Sequence, residues 1–205
     1  MKKLDLKKEY KEYFTASQKK PCLVTIQTAN YLCMSGKGDP NTSTAYQHAI
    51  EALFSVSYAL KFVIKKGPKA LDYGVLPLEG LWWVDNMAEF DINNKSNWQW
   101  KAMIMQPEFI SQELVSEAID QVQKKKGLSN LDQLNYASTT EGLCAQILHL
   151  GPFSDEGPTI ECLHQFMNDN GYDFNGQHHE IYLSDVRRCA PEKLKTIIRQ
   201  PVKKK

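Results

Sequence analysis

The chain has 205 residues, 42% of them hydrophobic, and 25 Lys and Arg balance 24 Asp and Glu to a formal net charge of +1. That composition supports a packed core, and the balance of charge excludes the broad basic surface that draws nucleic acid or an anionic membrane. No apolar run reaches the ~18 residues that span a bilayer, the charged N-terminus has no secretory pattern, and the five cysteines lack any Cys-x-x-Cys pair, so a reduced cytoplasmic protein is expected.

In chain order, residues 1–20 are a polar lead-in, rich in Lys and Glu, that forms a short helix or stays loose. Cys22 to Ile26 reads as a first strand and Tyr31 to Ser35 as a second extended piece, broken at the loop Gly36-Lys37-Gly38-Asp39-Pro40-Asn41. Asn41, Thr42 or Ser43 caps a helix running to about Lys66. Its apolar stripe is Tyr46, Ala49, Ile50, Leu53, Leu60, Val63 and Ile64, and Gly67-Pro68 stops it. Asp72 to Val84 is a strand made irregular by Pro77 and Gly80, Asp85 to Asn97 a polar loop, and Trp98 to Met105 a strand. Pro107-Glu108 opens a helix through about Lys126 with Leu114, Ala118 and Val122 on one side. Leu131 to Ala137 and Gly142 to Leu150 read as strands, and a helix with Ile160, Leu163 and Met167 runs to Gly171. A strand over residues 177–184 follows, and Pro191 to Gln200 is expected as a last short helix.

Two segments repeat one another. Tyr31 to Gly36 and Gln146 to Gly151 are each a strand closed by glycine and followed by a polar loop and an amphipathic helix. This predicts an α+β fold with duplicated strand-helix-strand-strand units forming a pseudo-twofold antiparallel sheet, with helices on one face and a central ligand cleft. Residues 1–20 are then a lead-in and 21–205 one domain, with repeats at about 21–107 and 131–200 joined by helix 108–126.

The most informative stretch is Gly176 to Asp185. It alternates as a strand does, which places His179, Ile181 and Leu183 on a core face and His178, Glu180, Tyr182 and Ser184 on the other. A carboxylate such as Glu180, buried on a central strand, must be paired, protonated or used. The bland alternative is an ion pair to Arg187 or Arg188.

The sequence resembles the stand-alone GyrI-like small-molecule-binding proteins, relatives of the effector-binding domains of multidrug-responsive regulators. The likeness rests on Gly36 to Asn41, Asp72 to Trp83, Met103 to Pro107, Glu141-Gly142 with Gln146 to Pro152, His178 to Asp185 and Leu194 to Val202, in order along the chain. The resemblance implies a hydrophobic cleft that takes bulky, often cationic aromatic compounds against a buried glutamate, here Glu180. It also implies, for some stand-alone members similar to the cyclopropanoid cyclopropyl hydrolases, hydrolysis of strained cyclopropanes in DNA-alkylating compounds. The first 20 residues are too short for the helix-turn-helix of the regulators, so direct binding of nucleic acid is not expected.

The candidate catalytic residues are Glu180, as counter-charge or general base, and Tyr182, on the same face. Candidate ligand-binding residues are Trp82, Trp83, Tyr73, Glu79, Trp100, Met105 and His178. Trp82 and Trp83 face opposite ways, so one is core, while Trp98 and Trp100 share a face. His178 and His179 also face apart, and no His-x-x-x-His or carboxylate triad supports a metal, so neither metal nor cofactor is expected. Gly36-Lys37-Gly38 lacks the phosphate-loop pattern. Three readings follow: a hydrolase that opens a strained ring for detoxification, a non-catalytic binding or sensor module for the same ligands, and a protein-interaction role like that of the gyrase inhibitor that names the family.

Overall fold

The computed structural model describes residues 2–85 and 95–205. Its elements are β1 (Lys2–Leu4), α1 (Leu6–Glu9), α2 (Lys11–Phe14), β2 (Cys22–Ile26), β3 (Ala29–Lys37), α3 (Thr44–Lys66), β4 (Leu71–Tyr73), β5 (Leu78–Trp83), β6 (Gln99–Gln106), α4 (Gln112–Lys126), β7 (Asn135–Thr139), β8 (Gly142–Leu150), α5 (Gly157–Asp169), β9 (Tyr172–Phe174), β10 (His178–Tyr182) and β11 (Lys195–Lys204). Among the described residues nine strands belong to an antiparallel sheet and two to a small parallel one, so the class is α+β. Of the loop expected over 85–97, residues 86–94 lie outside the described residues, and Lys95–Asn97 form a 3-10 turn.

Two compact units divide the chain. The first comprises Met1–Glu9, Ala29–Leu78 and Trp82–Thr139. Its strand order is β5-β6-β3-β7, and β1 pairs in parallel with β4. Strand β3 runs antiparallel to β6 from Asn30↔Gln106 to Lys37↔Gln99, and antiparallel to β7 on its other edge. Helix α3 starts where Ser43 Oγ accepts the Tyr46 N–H at 3.2 Å and closes on Lys65 and Lys66, which suit the negative end of the helix dipole. It packs against both α4 and the sheet, so its buried band is wider than a single stripe. Ala52, Val56 and Ser57 are buried, whereas Ile50 and Val63, expected in the stripe, are half-buried. Helix α4 begins at Gln112 rather than at Pro107, because Pro107 to Ile110 form a turn and Ser111 supplies the cap. This rotates its buried side to Val115, Ala118 and Val122 and leaves Leu114 half-buried.

The second unit comprises Tyr10–Thr28, Glu79–Leu81 and Thr140–Lys205. Its strand order is β2-β8-β11-β10-β5, with β9 beside the end of β11. The segment expected as a last helix, Pro191 to Gln200, is a 3-10 turn followed by β11. Thr196, Ile197 and Ile198 are β-branched and favour a pleated backbone, and the run from Thr196 to Val202 is buried throughout, as in a strand covered on both faces. Residues directly opposite on neighbouring strands share a face. Ile198 stands opposite Ile147 and Glu180, so all three lie on one face. There α5 lays Leu163 and Met167 against Ala145, Ile147, Ile198 and Val202. Each such buried side chain contributes about 1.5–3 kcal/mol. On the other face His179, Arg199, Gln146 and Cys22 form a row across β10, β11, β8 and β2.

Candidate functional site

In the second unit, β10 carries His178, Glu180 and Tyr182 on the face that holds Ile198. Glu180 is central. Its Oε2 accepts the Tyr182 hydroxyl at 2.8 Å, and its Oε1 lies 3.2 Å from His178 Nε2. The carboxylate side chain is 13% exposed and His178 22% exposed, so the group is sheltered but reachable. The Tyr182 ring meets Phe153 edge-on at 5.4 Å between centroids. Two residues apart on a strand is the spacing that brings these side chains onto one face, so the cluster follows from local geometry. A carboxylate held by a phenol and an imidazole can accept a proton from water or offset a cation.

The opposite face of the same strand holds a second ionic cluster, buried except at Glu141, whose side chain is 9% exposed. His179 Nδ1 lies 2.9 Å from Glu141 Oε1, and its Nε2 lies 2.9 Å from Glu79 Oε2. The Nε2 contact is an ion pair without the alignment of a hydrogen bond. Arg199 donates to Glu141 Oε2 at 3.2 Å, to Gln146 Oε1 at 3.0 Å and to the Tyr13 carbonyl at 2.7 Å. His179 and Arg199 are 0% exposed and Glu79 2%. Burial alone would depress the imidazole, but the field and hydrogen bond of Glu141, and then Glu79, raise its pKa from 6.5 to about 9. Burial likewise opposes charge on Glu141, yet His179 and then Arg199 hold its carboxyl down at about 2.

The first unit contributes an aromatic set. Tyr46 lies 5.0 Å from Trp100 and 5.6 Å from Trp82 between ring centroids, and Trp82 meets Trp98 at 6.0 Å. Gly36 makes this possible, since a Cβ there would overlap the Trp100 ring. Tyr73 packs edge-on against Phe109 at 5.6 Å. Among the described residues the buried Tyr73 hydroxyl and Trp100 Nε1 have no hydrogen-bond partner. Burial pushes the Tyr73 phenol well above its usual range.

The sequence-predicted residues are thus placed as follows. Glu180, Tyr182 and His178 come together. Glu79 is drawn to His179, leaving its Oε1 without a hydrogen-bond partner among the described residues. Trp82 is the buried member of its pair and Trp83 the half-buried one. Trp100 is buried in the indole set, and Met105 is buried in β6 opposite Tyr31. Arg187 pairs with Asp185, and Glu180 meets Tyr182 and His178 on its own strand. Sequence reasoning missed Glu141, His179 and Arg199 as a set. The available signal was a histidine on a strand's apolar face and an arginine among β-branched residues. Reading Arg199 as helical hid its place directly opposite His179.

A model of the GyrI-like small molecule binding domain matches residues 20–203. An uncharacterized conserved protein from Listeria innocua is 36% identical over 98% of this chain and 100% of its own, with a TM-score of 0.90. A hydrolase from Listeria innocua is also 36% identical over the same shares, with a TM-score of 0.87. The C-terminal domain of EcmrR shares the fold, with a TM-score of 0.55 at 13% identity over 91% of this chain and 98% of its own. No relative is found among curated protein sequences. With the family model spanning nearly its whole length, the chain belongs to the GyrI-like small-molecule-binding domain family.

Proposed function

We propose that this protein is a hydrolase that binds a bulky, planar, hydrophobic or cationic small molecule and opens a strained cyclopropane-type ring with water, a detoxifying reaction. The observation that carries the reading is the Glu180 carboxylate, sheltered and held by Tyr182 and His178. The likeness to a hydrolase at 36% identity over nearly the whole chain supports hydrolysis as the reaction type.

In this reading Glu180 accepts a proton from a water molecule as the water oxygen attacks the strained carbon. The carbon–carbon bond of the ring breaks and its electron pair passes to a conjugated carbonyl oxygen, which is then protonated. Glu180 returns its proton to solvent, and the net change is addition of one water. Tyr182 donates to the carboxylate and fixes its direction. Trp82, Trp83, Trp100, Tyr73 and Met105 in the first unit are assigned to contact with planar ligands, Trp83 being the half-buried indole of its pair.

The test mixes the purified protein with a spirocyclopropane-bearing alkylator and follows the water adduct by mass spectrometry, with Glu180→Gln in parallel. The expected result is adduct in excess of protein, reduced about 10²-fold or more in the variant, the usual scale of a general-base contribution. Binding at one ligand per chain without adduct would support a binding module. Undiminished turnover in Glu180→Gln would remove Glu180 from the mechanism.

A further inference from the structure

The strand that presents Glu180 is held from behind by charge. His179 points away from Glu180 and is itself 0% exposed, and each of its ring nitrogens lies 2.9 Å from a different carboxylate. A neutral imidazole carries no charge to set against two carboxylates, whereas the imidazolium donates from Nδ1 to Glu141 and meets Glu79 as a cation at Nε2. With His179 protonated, the two carboxylates Glu79 and Glu141 balance the two cations His179 and Arg199. A buried group of this kind is tolerable only when its charges cancel. The four residues come from four places in the chain, namely β5, the turn before β8, β10 and β11, and Arg199 extends the brace to the Tyr13 carbonyl. His179 and Glu180 are consecutive in β10 and both are registered against β11, so anchoring the His179 side chain also anchors the backbone from which Glu180 projects.

We propose that His179, clamped between Glu79 and Glu141 and braced by Arg199, is the positioning residue for the Glu180 carboxylate. This rests on the reading of Glu180 as the reactive group of the site. The titratable and charged groups that face His179 are Glu79 from β5, Glu141 from the turn before β8 and Arg199 from β11. The Cys144 thiol of β8 and the Tyr13 phenol next to Arg199 complete the surroundings. None of these is Glu180 itself, so the coupling runs through the strand.

The experiment reads Glu180 without any ligand. Protein labelled with 13C at the glutamate carboxyls is titrated from about pH 6 to about pH 10.5, with the Glu180 signal assigned by its loss in Glu180→Gln. The expected wild-type signal shifts with an inflection near pH 9, as His179 loses its proton. The inflection persists in Tyr182→Phe, which separates it from the phenol, and disappears in His179→Gln. A Glu180 signal identical in wild type and folded His179→Gln throughout the range overturns the proposal. Should His179→Gln fail to fold, the wild-type titration decides: a signal flat through pH 9 overturns the proposal, and an inflection kept in Tyr182→Phe supports it. Full turnover of the alkylator by Glu180→Gln would defeat the functional reading while leaving this titration unaffected, so the two failures are distinguishable.

Discussion

At the scale of residues, β10 shows how one strand serves two chemistries. Glu180, 13% exposed, belongs to a partly open polar face, while His179, 0% exposed, belongs to a charge cluster open to solvent only at the edge of Glu141. The alternation of Gly176 to Asp185 makes the two faces legible in the sequence, and with them the grouping of Glu180, Tyr182 and His178. It does not reveal that His179 is ionic, because its partners Glu79 and Glu141 are distant in sequence and meet it only through tertiary contacts. Gly36 is a similar case. It reads as part of a loop, but its lack of a side chain makes room for the Trp100 indole, so Gly36→Ala should cost about 1–3 kcal/mol through overpacking. Urea denaturation of the variant would measure that loss, and an unchanged midpoint would contradict the close packing.

At the scale of elements, the informative strand is β11. Its neighbours are β8 over Lys195 to Pro201, β10 over Thr196 to Arg199 and β9 at its end, so it carries the register of the second unit. The helical reading of 191–200 failed because Pro191 is an acceptable first helical residue and the segment is short. The β-branched run Thr196-Ile197-Ile198 was the stronger local signal. The long α3, by contrast, was legible from end to end, with Ser43 among the three candidate caps, because its period, its cap and its Gly67 stop all agree. Arg199→Met in β11 removes one cation from the balanced cluster and leaves Glu141 with His179 alone. It should destabilise the fold by about 3–5 kcal/mol, the cost of breaking a buried ion pair. Chemical denaturation would read this directly, and a loss below about 1 kcal/mol, the level of an exposed pair, would argue that the cluster is not buried in solution.

At the scale of the whole molecule, the same cluster sets how stability depends on pH. The pKa of His179 is raised from 6.5 to about 9, so its contribution is fully present below 6.5 and is lost as pH rises through about 9. The pKa of Glu141 is lowered from 4.5 to about 2, so its contribution is present above 4.5 and is lost as pH falls through about 2. Thermal unfolding should therefore show its plateau between pH 4.5 and 6.5, with an alkaline decline that begins near pH 6.5, is complete by about pH 9 and is absent in His179→Gln. A wild-type melting temperature that is level through pH 9 would contradict the ionic state assigned to His179. The proposed activity of this GyrI-like domain is the addition of water to a strained ring. The direct measurement is incubation of a spirocyclopropane-bearing alkylator with the protein in 18O-labelled water, followed by mass analysis of the product. The proposed hydrolysis gives ring-opened product carrying one 18O atom, formed in multiple turnovers per chain and lost in Glu180→Gln. Product without the label, or bound alkylator recovered intact at one equivalent per chain, would contradict it.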